Sequence, residues 1–245
     1  MPMPPTRPSI STIAVVLAVT FARPALAGDG TAFERDFANA WPHYRDAWVR
    51  SAENDAAATA TALDAFAAAW SRVAEDVAAA PPPAFRGDAG FTPDLRLIGD
   101  IAGKAAFQAG RGRLAQAHAT LQQGRAILGE LRRRNGIAAY DDPLDEFEDK
   151  LAEVGDENLD QPEIPPEQFI HLVEQLGVLA YLVERLEKLV PPQWAGDPAF
   201  LEAAEGLSRQ VATVKAAVFT GQAVAVRAAL EDLRKNFNKF YLYYG

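Results

Sequence analysis

Residues 85–134 recur at 194–243, shifted by 109 without a gap, so a fold adopted by the first stretch must also suit the second. Phe85-Arg86-Gly87-Asp88 answers Trp194-Ala195-Gly196-Asp197. Phe91 then meets Phe200, Ile98 meets Leu207, Ala105 meets Val214, Leu121 meets Leu230, Arg125 meets Arg234 and Leu128 meets Phe237. Upstream, Pro81-Pro82 answers Pro191-Pro192 and Trp70 answers Tyr181, with drifts of one or two residues that a loop absorbs. A repeat of this length can bury a core of its own, which makes it a domain-sized unit rather than a solenoid module.

Between clusters of Pro and Gly, apolar residues recur at helical spacing, and no stretch alternates strictly enough for a sheet, so the fold class is all-α. A first helix is expected from Trp41-Pro42 to about Glu53, with proline suited to its first turn. A second runs from an Asp55 cap to about Ala80 through Leu63, Phe66, Trp70, Val73 and Val77. Thr92-Pro93 opens a third that ends near Gly110; a fourth spans about Arg113 to Arg134 and stops at Asn135-Gly136, a pair suited to a left-handed cap. Asp142-Pro143, Pro165-Pro166 and Asp197-Pro198 open three more, the second of these with a stripe of Phe169, Val173, Leu176, Ala180, Val183 and Leu186. The last helix reaches Tyr244. Rods of about 35 Å joined by short turns suit antiparallel bundles. The expectation is two tandem four-helix bundles from an internal duplication, at 28–138 and 139–245, with one continuous eight-helix body as the alternative.

Residues 1–27 carry Arg7, an apolar run from Ile13 to Val19, and Ala25-Leu26-Ala27 before Gly28, the pattern of a cleaved export signal too short to span a bilayer. A soluble periplasmic product is expected. Losing Arg7 and Arg23 but no acid takes the formal charge from −9 to −11, which disfavours nucleic acid and anionic lipid as partners. There is no cysteine, and the two methionines, Met1 and Met3, leave with the leader. Disulfides, thiolate metal ligation and thioether haem attachment are thereby excluded, and soft ligands are scarce.

Candidate metal ligands reduce to His118 and His43. His118 flanks the apolar stripe Ala117, Leu121, Gly124, Leu128 and Leu131, where the other copy has Arg227 beside Val226, Leu230, Leu233, Phe237 and Phe240; a structural or surface role is favoured. His43, placed in the first turn of its helix, lies too far along the bundle to share an ion with His118. His171 lies off its stripe. The acidic stretch from Asp141 to Glu167 lacks the spacing and central glycine of a Ca²⁺ loop, and reads as a helix and linker facing water, partly balanced by Arg132-Arg133-Arg134. Phe240, Tyr241, Tyr243 and Tyr244 are expected to close the second bundle on the first, or else to form a partner-docking surface. Arg125 and Arg234 are expected to make matching interactions with acids of a neighbouring helix. No nucleophile elbow, phosphate loop or carboxylate dyad of recognisable spacing occurs.

A leader followed by four-helix units of about 105 residues resembles the periplasmic bundle cytochromes, the cytochrome c-prime and b-type bundle group. That resemblance implies a haem-ligating histidine near the end of the last helix. The matching ends, Leu131-Arg132-Arg133-Arg134-Asn135 and Phe240-Tyr241-Leu242-Tyr243-Tyr244, hold neither His nor Cys. The chain is also similar in plan to imelysin-type periplasmic proteins, which are duplicated helical bundles associated with metal uptake, but without their Gly-x-His-x-x-Glu signature. The expected role is that of a non-catalytic periplasmic helical protein that binds a protein partner or small ligand, with no cofactor. The alternative is a metal or haem carrier using His118, His43 or the acidic stretch.

Overall fold

The structure, a computed structural model, describes residues 32–245 except residue 80 and the side chains of residues 76–79. The expected export signal, residues 1–27, lies outside the described residues. Among the described residues eight α-helices follow one another: α1 (Ala32–Ala52), α2 (Ala56–Ala79), α3 (Phe91–Ala109), α4 (Leu114–Arg134), α5 (Asp141–Gly155), α6 (Pro166–Lys188), α7 (Pro198–Phe219) and α8 (Ala223–Tyr244). Among the described residues no strand forms, only an isolated bridge between Glu163 and Gln222. The protein is all-helical, and no described helix is long and apolar enough to cross a membrane.

Local signals set most boundaries. Asp55 Oδ1 accepts the Ala58 N–H at 3.0 Å and Asp197 Oδ1 the Ala199 N–H at 2.9 Å, so each aspartate satisfies a helix-start donor. Gly136, at φ +67°, turns the chain out of α4. Two expected starts are displaced. α1 begins at Ala32 and carries Pro42 in its interior, because Phe33, Ala40 and Trp41 all bury and anchor two extra turns. The hydrogen bond that Pro42 cannot make would have gone to the carbonyl of Ala38, on an exposed residue where water can take it. α3 begins at Phe91, two residues before the expected Pro93, after a turn in which Asp88 Oδ1 accepts the Gly90 N–H at 2.8 Å.

α1 packs on α2 and α4, and α3 on both α2 and α4. α5 packs on α6, α6 on α7 and α7 on α8, while α8 returns to α5 and α1 and α4 touches α5. Buried apolar side chains form one continuous core through all eight helices.

Several residues 109 apart in sequence share local conformation or burial. Pro83–Phe85 and Pro192–Trp194 are both single 3₁₀ turns, and Gly112 (φ +71°) and Gly221 (φ +69°) occupy the same turn position. Ile98/Leu207, Ala105/Val214, Leu121/Leu230, Leu128/Phe237 and Leu131/Phe240 are buried in pairs. In α2 and α6 the offset continues without drift through Leu63/Leu172, Trp70/Leu179 and Val73/Leu182. The expected partner of Trp70, Tyr181, is instead 60% exposed. The core face of α6 is accordingly Leu172, Leu176, Leu179, Leu182, Val183 and Leu186, with Ala180 outside. Exposed apolar side chains on its other side, Ile170, Val178 and Tyr181, concealed the true face of that helix. Between α1 and α5 the buried positions pair at 107, as Ala40/Phe147, Tyr44/Leu151 and Ala47/Val154.

Candidate functional site

The polar centre of the molecule is Arg125, only 1% exposed, where α1, α4, α5 and α8 meet. Its guanidinium carbon lies 4.1 Å from the centre of the Trp48 ring and 4.6 Å from that of Tyr241, so an aromatic face from each half of the chain covers it. Nε donates to Asp145 Oδ1 at 3.1 Å, Nη1 donates to Gln122 Oε1 at 2.9 Å, and Glu148 Oε2 stands 3.7 Å from Nη1. Two turns on, both terminal nitrogens of Arg132 donate to Asp141 Oδ2 at 2.9 Å. Arg45 also enters the joint, 5.9 Å from the centre of the Tyr241 ring.

Asp141, Asp145 and Glu148 fall at i, i+4 and i+7, on one face of α5. That face turns toward the arginines of α4, so the acidic helix does not simply face water as expected. Of the arginine triplet, only Arg132 serves α5; Arg133 pairs with Glu130, and Arg134 with Asp88 and Asp94. Nor do Arg125 and Arg234 make matching interactions. Arg234 is exposed and lies over the backbone of Gly155, the position that answers Trp48 at the 107 offset.

Burial pushes the carboxyl of Asp145 up to about 6 and that of Glu148 up to about 7, against the opposing charge of Arg125. Glu148 is also faced by Arg234 from α8, and by Asp145 and Asp149 from its own helix. Burial alone would raise Asp141 too, but the charges of Arg132 and Arg45 hold it below the ordinary range. Carboxyls with raised folded-state values contribute stability that is complete below about pH 4 and lost as pH climbs through 6 to 7. Stability is therefore expected to fall by on the order of 2 kcal/mol between pH 5 and pH 8, and Glu148→Gln should flatten that decline. Urea melts of both proteins at several pH values check this; parallel profiles would contradict it. Two groups act in the opposite sense: Asp141 below about pH 4, and His118, whose imidazole is held below its ordinary range by burial, as pH falls toward about 5.

His118 is half-buried against Trp48, with ring centres 4.7 Å apart. Its Nδ1 lies 2.9 Å from the Trp48 carbonyl, which can only accept, so Nδ1 carries the proton. Burial, with the charges of Arg125 and Arg234, lowers its pKa, and the ring is neutral at neutral pH. His43 sits in the middle of α1 rather than in its first turn, and the partners of His118 are Trp48 and Ser51, not His43. His171 pairs with Glu157 at 3.0 Å. Among the described residues no group of three or more His, Cys, Asp or Glu side chains is placed to hold a metal.

The terminal aromatics divide. Tyr241 is 1% exposed and packs edge-on against Trp48 at 5.3 Å, which joins the halves; Phe240 is buried against Phe200. Neither is available as surface. Tyr244 is half-buried between Trp194, Phe200 and Phe240, and Tyr243 alone projects into solvent.

The sequence reading missed a cavity. Phe33, Phe85, Phe91, Leu95, Leu128 and Leu131 line an apolar space of about 150 Å³, with Glu34 and Arg132 among its edges. Its cause is legible in the repeat. Where α4 carries Leu128, Leu131 and Asn135, α8 carries Phe237, Phe240 and Tyr244, and those rings fill the equivalent region of the second half. Comparison with family models, curated proteins and solved structures finds no match for this chain.

Proposed function

We propose that this is a non-catalytic, exported helical binding protein, built from a duplicated four-helix unit, that takes up a small apolar ligand in the cavity between α1, α3 and α4. The leader pattern of residues 1–27 supports export, and paired burial at an offset of 109, or 107 between α1 and α5, supports the duplication. The observation that carries the binding role is the cavity itself. Cavities of about this size lined by Leu, Ile and Phe stay dry and accept a ring the size of benzene. The lining of this one is of that kind apart from Glu34 and Arg132, and it opens to the surface on one side.

Toluene or indole at about ten times its Kd is expected to stabilise the protein by about 1.4 kcal/mol, a rise in Tm of about 3–6 °C. The double variant Leu128→Phe/Leu131→Phe copies the rings of α8 into α4; it should fold, and should lose the response. An unchanged wild-type Tm across a panel of apolar rings, or a full response in the filled variant, would refute the proposal.

A further inference from the structure

A second open space lies on the outer face of α7 and α8, a groove of about 420 Å³. It is far from symmetric with the first half. At the 109 offset, Gly206 stands where α3 has Leu97, Arg209 where α3 has Asp100, and Lys239 where α4 has Glu130. One substitution removes bulk from the groove floor, and the other two reverse the sign of its charge. The first half also closes this face with the Arg134–Asp94 ion pair, at 2.5 Å; the second has Tyr243 and Ala203 there. In a chain of formal charge −9, no Asp or Glu lines the groove.

We propose that this groove binds a small aromatic carboxylate. Arg209 pairs with Glu205 of its own helix at 3.4 Å, an exposed contact of little strength that a ligand carboxylate can replace on its planar fork, and Lys239 adds a second positive charge. Tyr243, 73% exposed, offers a ring face to a flat partner, and the side chains of Gln210 and Asn236 supply hydrogen-bonding groups beside it. The glycine at 206 leaves open space, since a Cβ there would meet only the far end of Arg209, at 3.9 Å. The site is independent of the apolar cavity, whose lining belongs to the other half.

Titration of the isotopically labelled full chain with benzoate, followed through backbone amide shifts, tests this. Saturable shifts centred on Gly206 and Tyr243, with a Kd on the order of 1 mM, are expected, and benzamide should bind at least about tenfold more weakly. Raising NaCl from about 20 to about 200 mM should weaken benzoate but not benzamide. Arg209→Asp and Gly206→Leu, each copying the first half at an exposed or half-exposed position, should reduce benzoate affinity by about tenfold or more with melting curves unchanged. Equal binding of benzoate and benzamide, shifts confined to the apolar cavity, or affinity unaffected in both variants would overturn the assignment.

Discussion

Replacing Arg125 by alanine is expected to destabilise the protein by about 3–5 kcal/mol, the range for removing one partner of a buried ion pair. The loss has two parts. Asp145 and Glu148 would be left facing a joint from which water is largely excluded, and Trp48 and Tyr241 would lose the planar cation that lies against both rings. A comparison of variants separates these parts. Arg125→Met keeps most of the apolar stem and fills volume, yet leaves the acids unpaired, so it should recover less than half of the loss. Arg125→Met combined with Asp145→Asn and Glu148→Gln removes the stranded charges, and should lie well above either arginine variant, because replacing a whole buried ionic group is far less costly than breaking it. Urea denaturation followed by circular dichroism at pH 7.5 reads all three. If Arg125→Ala costs under about 1 kcal/mol, the guanidinium does not organise the joint between the halves.

What was legible beforehand was what short-range chemistry determines. Helical periodicity, Asx caps and Pro/Gly punctuation are local, and they marked all eight helices and the offset between the copies. What was hidden depends on which helix faces which. Arg125 and Arg234 are the same residue at matching places, and only the neighbour tells them apart: Trp48 covers one, while Gly155 leaves the other open to solvent. That neighbour belongs to α1 for Arg125 and to α5 for Arg234, helices whose correspondence at 107 rather than 109 emerges only from the packed register. Likewise the spacing of Asp141, Asp145 and Glu148 was visible, but the direction of that face was set by the arginines of α4. Pro42 argued locally for a helix start and was overruled by the burial of Phe33, Ala40 and Trp41. The apolar cavity and the cationic groove, by contrast, rest on differences between aligned residues: Leu128/Phe237 and Leu131/Phe240 for the one, Asp100/Arg209 and Glu130/Lys239 for the other. Comparing the copies for mismatches, rather than for matches alone, would have pointed to both.

The sharpest of those mismatches concerns a single missing methyl group. Tyr44 is fully buried, stacked on Trp41 at 4.7 Å and edge-on to Phe66 at 5.0 Å, and its hydroxyl donates to the Leu121 carbonyl at 2.8 Å. It lies directly over Gly124, where a Cβ would come within 2.8 Å of Tyr44 Cζ and closer still to the hydroxyl oxygen. Gly124→Ala would ordinarily strengthen a helix by about 0.5–1 kcal/mol. Here it must displace a side chain held by two rings and a hydrogen bond, and the net effect is expected to be a loss of about 3 kcal/mol. At the 107 and 109 offsets, the positions answering Tyr44 and Gly124 hold Leu151 and Leu233, both buried without a glycine. One large and one minimal side chain in the first half thus stand where two of middle size stand in the second. The two sites should therefore be coupled, so that Gly124→Ala costs about 2 kcal/mol less in a Tyr44→Leu background than in the parent chain. A double-mutant cycle by chemical denaturation measures that coupling; strictly additive effects would mean that Tyr44 can move aside freely, contrary to its burial and its bond to Leu121.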